Sequence, residues 1–196
     1  MMRSPQTKLS KSTWRFGIIF AVQLAIVLAG PLPKAIVRVT GSTIALRTAP
    51  AGPYDSLLGR YVTLRYAAER AVRSGLPGWN DIANKPNTQS RPIYLTLEPD
   101  PKSPPSLPMQ TWRPVAIALD PPRDLVQGQK LIKAYYRQPG RRGVDLGMSQ
   151  YFVPEERGEL LDKDMTANRS AIAAEVKVDR WGNSVLVKLW VEDRSY

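Results

Sequence analysis

From Phe16 to Pro33 the chain runs for 18 residues without a charge, FGIIFAVQLAIVLAGPLP, interrupted only by the polar Gln23 and closed by Arg15 and Lys34. No face of this run is polar and its flanking charges are all basic, so a buried core helix fits it poorly. At a rise of about 1.5 Å per residue the segment is about 27 Å long, close to the ~30 Å hydrocarbon core of a bilayer. Trp14 suits the interface, and Arg15 and Lys34 can reach outward to extend the effective span. Upstream stand Arg3, Lys8, Lys11 and Arg15, with no acid among the first 15 residues. Short cationic flanks are retained on the cytoplasmic side. The expected organisation is a basic cytoplasmic flank over 1–15, a single-pass transmembrane anchor over 16–33 and an extracytoplasmic domain over 34–196. A cleaved signal peptide competes with the anchor: its apolar part is Phe16 to Leu28, and Val27-Leu28-Ala29 permits cleavage after Ala29. Both readings export the domain.

The chain has 196 residues with no cysteine and no histidine. Those two zeros exclude a disulfide framework, a thiolate nucleophile, a Cys/His zinc site and an imidazole base. There is also no GxxxxGK[ST] phosphate loop, no GxGxxG and no GxSxG elbow, so no catalytic, cofactor-binding or metal-ligating residues are assigned. One enzyme class keeps some support, a membrane-anchored Ser/Lys hydrolase. An anchor followed by an exported β domain is the layout of signal peptidases, and Ser42 in Thr40-Gly41-Ser42-Thr43 follows the anchor closely. Ser42 lacks the Met that those enzymes place after their serine, and neither Lys130 nor Lys133 has a distinctive setting. The expected role of Ser42 is a turn serine before a strand.

Lys and Arg number 28 against 17 Asp and Glu, a net charge of +11. Setting aside the four flank cations leaves +7 outside, scattered as Arg60, Arg65, Arg70 and Arg73 in one stretch and Lys130, Lys133, Arg137, Arg141 and Arg142 in another. Nucleic acid is not an expected partner across a membrane. A basic solvated surface facing anionic lipid or wall polymers is.

Beyond Lys34 the pattern changes to short alternating runs separated by Pro, Gly, Asn and Asp. That is the mark of a mainly antiparallel β domain, barrel- or sandwich-like, with one or two short helices. The strands expected are Thr43–Thr48, Arg60–Tyr66, Pro92–Glu98, Trp112–Leu119, Gly128–Tyr136, Val144–Val153, Ile172–Val178 and Ser184–Val191. The last two form a hairpin: Ile172, Ala174, Val176 and Val178 alternate, Asp179-Arg180-Trp181-Gly182-Asn183 turns, and Val185, Val187, Leu189 and Val191 resume the period of two. Helices are expected over Ala67–Ser74 and Pro154–Asp164, the latter with Pro154 at its first position and Glu155 and Glu156 in its first turn. Leu76–Arg91 and the proline-rich Pro99–Met109 read as exposed, mobile loops.

The stretch from Pro53 to Tyr66, PYDSLLGRYVTLRY, resembles the signature of the GDYXXLXY family of bacterial membrane-anchored proteins. Gly59, Tyr61, Leu64 and Tyr66 match it, and Arg60 stands where the family has Asp. A second segment, Tyr151-Phe152-Val153-Pro154-Glu155-Glu156-Arg157-Gly158, is similar to the family's later YFVPEG-type stretch, with Glu156 and Arg157 inserted before the glycine. The resemblance implies a cell-envelope protein without assigned activity, a non-enzymatic interaction or accessory module working with a polytopic membrane protein. On a strand, Val62, Leu64 and Tyr66 share the face that packs inward while Tyr61, Thr63 and Arg65 share the other. Both motifs combine aromatic residues with charges, which predicts that they meet in space and bring Arg60 or Arg65 within reach of Glu155 or Glu156.

Overall fold

The computed structural model describes residues 11–50, 61–72, 75–83, 91–136, 143–168 and 171–196. The chain divides into two units, 1–36 and 37–196. Gly59 and Arg60 of the first motif, Arg73 at the end of an expected helix, and Arg137, Arg141 and Arg142 lie outside the described residues, as do Arg3 and Lys8.

Helix α1 spans Lys11–Ala29 and helix α2 spans Pro31–Thr40. The sequence places the end of a continuous anchor at Pro33 and no separate helix after it, whereas the helix breaks at Gly30 and a second one starts at Pro31. Pro31 and Pro33 both sit in the first turn, where a proline's missing N–H has no intrahelical acceptor to lose, so they open a helix as readily as they end one. Among the described residues no single helix is long and apolar enough to cross a membrane; Trp14–Ala29 and Pro31–Thr40 meet the criterion together, as a pair bent by 57°.

Among the described residues the second unit is built on a ten-stranded sheet. Its strands are β1 (Ser42–Pro50), β2 (Tyr61–Tyr66), β3 (Pro92–Pro99), β4 (Thr111–Ala118), β5 (Lys130–Tyr136), β6 (Val144–Asp145), β7 (Gln150–Phe152), β8 (Ile172–Val178), β9 (Ser184–Val191) and β10 (Arg194–Ser195). The helices α3 (Ala67–Ala71), α4 (Trp79–Ala83) and α5 (Glu155–Ala167) lie between strands. The main path runs β10-β9-β8-β1-β4-β3-β5-β6, and β2 branches off to pair with β1 and β7. The expected Val144–Val153 strand is divided into β6 and β7, and Leu76–Arg91 contains α4 rather than loop alone.

The protein is mainly β, but the antiparallel barrel or sandwich expected from the sequence is replaced by an open, mixed sheet. β1 and β4 run parallel, with Ala45 opposite Thr111 and Leu46 opposite Trp112. Parallel neighbours require a long crossover, and β2, α3, α4 and β3 supply it here. Alternation within a strand is the same for both pairings, which is why the pattern alone suggested the commoner one.

Most of the core lies on one face. It takes Ile44 and Leu46 from β1, Ile93, Leu95 and Leu97 from β3, Ile132 from β5 and Ile172 from β8, all almost fully buried. Gly158, Leu161 and Met165 place a buried stripe on α5. Pro154 caps this helix instead of occupying its first position, and the helix runs on past Asp164 to Ala167. The proline-rich segment after β3 is not wholly solvent-facing, since Leu107 is buried against Ala45 and Ala173 on the other face of the sheet.

The closing hairpin forms as expected, with one change. Its register steps from Glu175 opposite Lys188 to Val176 opposite Leu186, leaving Val187 as an extra residue. A bulge shifts the side-chain alternation by one. Leu189 and Val191 therefore face the core as expected, but Leu186 takes the inward place assigned to Val185 and Val187. A second bulge lies on β4 beside Pro114, a residue with no N–H to give to a ladder.

Candidate functional site

The two family-like segments are neighbouring strands. β2 and β7 pair antiparallel, with Tyr61 opposite Phe152, Val62 opposite Tyr151 and Thr63 opposite Gln150. Leu64 and Tyr66 are buried while Arg65 is exposed, the alternation the sequence predicts for this strand. On the outward face the Tyr61 and Phe152 rings stand 6.0 Å apart at 50°. Phe152 is 67% exposed and Tyr61 half-buried, so the pair forms an aromatic patch on the surface.

Further bonds join the first motif to the turn ahead of the second. The Leu64 N–H donates to the Ser149 carbonyl at 2.7 Å, and the Tyr66 hydroxyl donates to the Met148 carbonyl at 2.8 Å. Burial holds the Tyr66 phenol well above its usual range, and the Glu69 and Asp145 carboxylates push it the same way. It is a fixed neutral donor. Glu69 on α3 accepts the Leu146 N–H at 3.2 Å, and Asp145 accepts the Gly147 N–H at 2.7 Å. The sequence reading missed Glu69, Asp145 and Met148; the partners of Glu69 and Met148 lie 77 and 82 residues away along the chain.

In the second motif Val153 is buried and Pro154 caps α5. Tyr151 donates its hydroxyl to the main-chain oxygen of Tyr196, and burial raises that hydroxyl above the ordinary phenol value. Tyr196 in turn donates to Asp164 on α5, which also pairs with Arg194 at 3.0 Å. The Tyr196 hydrogen bond holds the Asp164 carboxyl below its usual value, and burial with that same bond pushes Tyr196 up to about 12. This chain of hydroxyls fastens β7, α5 and β10 together; none of its members was singled out by the sequence beyond Tyr151. Arg65 and Glu156 are both described and form no ion pair with each other, while Arg60 and the Glu155 side chain lie outside the described residues.

A concave feature opens beside Ser42. A groove of about 500 Å³ is lined by Thr40, Ser42, Leu125, Gln129, Lys130, Leu131 and the Val178–Trp181 stretch. Its wall is the β8–β9 turn. One Asp179 carboxylate oxygen accepts the N–H groups of Trp181 and Asn183, both at 2.9 Å, and the other accepts the Asn183 side-chain amide at 2.8 Å. Gly182 makes this turn possible: its φ is +82°, and a Cβ there would come within 2.9 Å of the Lys133 nitrogen. Its carbonyl accepts the Lys133 N–H at 2.8 Å, which docks the turn on β5.

Ser42 and Lys130 thus share the groove, and Lys133 does not reach it. The Lys133 ammonium donates to the Asn183 side chain at 2.8 Å. The Ser42 hydroxyl donates to the Val178 carbonyl at 3.3 Å, a strand-start contact. Among the described residues no group of three or more His, Cys, Asp or Glu side chains is arranged to hold a metal ion.

Neither the curated proteins nor the solved structures contain a match to this chain. A family model does match it over residues 23–189, a range that takes in both paired strands. The chain belongs to the GDYXXLXY protein family.

Proposed function

We propose that the protein is a membrane-anchored, extracytoplasmic accessory module of the cell envelope, non-enzymatic, that works with a polytopic membrane protein. The observation carrying this reading is the surface of α1: Trp14, Phe16, Phe20, Ile26 and Val27 are all exposed along a helix with no charge after Arg15. Such a surface is stable in hydrocarbon or against another apolar helix, and costly in water. Helix α2 adds an exposed stripe of Leu32, Ile36 and Val39, with Lys34 and Arg38 on its other side. That is the make-up of a helix lying at a lipid–water boundary. The basic flank keeps the N-terminus inside.

The Tyr61–Phe152 patch is the surface offered to the polytopic partner. It stands where both motifs meet, and exposed aromatic residues are the common anchors of protein interfaces.

The test is topological. A C-terminal reporter active only after export should give signal, and carbonate washing should leave the full chain in the membrane. A released fragment beginning at Gly30 would establish a cleaved signal peptide and a secreted protein in its place. The hydrolase alternative draws on Ser42 and Lys130 sharing a groove. Ser42→Ala decides it, since loss of reaction with a serine-directed probe in a folded protein would replace the accessory reading with an enzymatic one.

A further inference from the structure

The groove beside Ser42 has an exposed apolar rim with cations beside it. Trp181 is 57% exposed and Val126 69% exposed, and Leu125 next to Val126 lines the groove itself. The loop bearing them is fixed, with the Val126 N–H bonded to the Gln129 side chain at 3.1 Å and the Gln129 amide to Glu98 at 2.8 Å. The Arg180 guanidinium lies 4.0 Å over the Trp181 ring. Lys130 and Arg180 are the cations of the lining, and its one carboxylate, Asp179, is taken up by hydrogen bonds within its own turn.

We infer that this rim is a membrane-docking surface, with Trp181, Leu125 and Val126 entering the interfacial layer of the bilayer and Lys130 and Arg180 meeting anionic phospholipid headgroups. Tryptophan with an apolar body and a polar N–H suits that layer, as does an arginine whose stem and plane cover a ring. Basic side chains at a leaflet surface are attracted by its anionic lipids. Tethering supplies the remaining argument. Thr40, the last residue of α2, lines the groove. Along the chain, only that ten-residue helix and Gly30 separate the groove from the end of α1. The inference rests on the anchored reading and adds to it an orientation: the sheet is held against the bilayer by its β8–β9 end.

The absence of cysteine makes a direct test available. Full-length Val126→Cys and, as a reference, full-length Phe152→Cys carry a spin label in nanodiscs of phosphatidylcholine with phosphatidylglycerol. Docking predicts a several-fold higher ratio of oxygen to water-soluble nickel collisions at 126 than at 152. It also predicts that Lys130→Glu with Arg180→Glu returns the 126 label to the 152 value. Equal ratios at the two positions in an anchored chain, or a 126 ratio indifferent to the charge reversal, would overturn the docking inference and leave the anchor standing. A chain that carbonate removes from the discs would overturn the anchored reading and the docking with it.

Discussion

The hydroxyl of Tyr66 donates to the carbonyl of Met148 at 2.8 Å across 82 residues of chain, with Tyr66 wholly buried. The closing residue of the first motif therefore holds the turn that delivers the second. Tyr66→Phe leaves that buried carbonyl without its partner, at a cost of about 1–3 kcal/mol. Urea unfolding of the isolated variant measures it.

The same residue sets an alkaline limit. Its phenol titrates above the ordinary 10.0 in the folded protein, so folding keeps a proton that the unfolded chain releases. The stabilisation is complete below about pH 10 and is lost as pH rises from there toward the folded value. Stability of the native protein should fall over that range more steeply than stability of Tyr66→Phe, measured side by side by denaturant titration.

Phe152→Ala separates the patch from the core. The ring is mostly exposed and its described aromatic contact is the tilted one with Tyr61, so stability should drop by only about 0.5–1.5 kcal/mol. Capture of a polytopic membrane protein by in-cell crosslinking should fall much further than that. Unchanged capture would move the partner surface away from the motifs.

Gly78 sits before α4 with φ at +88°, and a Cβ on it would lie 1.9 Å from the Ile117 carbonyl oxygen. The Ile117 N–H meanwhile donates to the Pro77 carbonyl at 3.0 Å. Gly78→Ala must break that approach as well as strain the backbone, so a loss above about 2 kcal/mol is expected. Thermal unfolding checks it.

At the acid end, Asp164 titrates below its usual 3.8 because Tyr196 and Arg194 bond its carboxylate. Its contribution is present above about pH 3.8 and disappears as pH falls through the lower, folded value. Asp164→Asn should flatten the stability profile over that interval in acid-unfolding curves.

Much of the fold was legible because it depends on local alternation. The inward set Val62, Leu64 and Tyr66 and the pairing of β8 with β9 follow from a period of two that each strand carries by itself. What escaped depends on a partner or on a single residue. The parallel pairing of β1 with β4 leaves no trace in either strand's pattern, and the bulge at Val187 turns on one unpaired residue. Pro31 reads equally as a helix stop or a helix start. The meeting of the motifs was foreseen from their shared mixture of aromatics and charges. The bonds that secure it, Tyr66 to Met148 and Tyr151 to Tyr196, use main-chain acceptors that any residue could supply.

β1 lies in the middle of the sheet, flanked by β8 over Ser42–Arg47, by β4 at Ala45 and Leu46, and by β2 from Thr48 onward. Synthesis runs from the N-terminus, so this strand emerges before every one of its neighbours, and β8 follows more than a hundred residues later. Until then the β8 side of β1 is a bare edge, open to pairing with another chain. A nascent or truncated protein lacking β8 and β9 is consequently the species most prone to self-association. The pairing of β8 with the central β1 is therefore among the last long-range contacts the chain can make, and slow closure follows from that ordering.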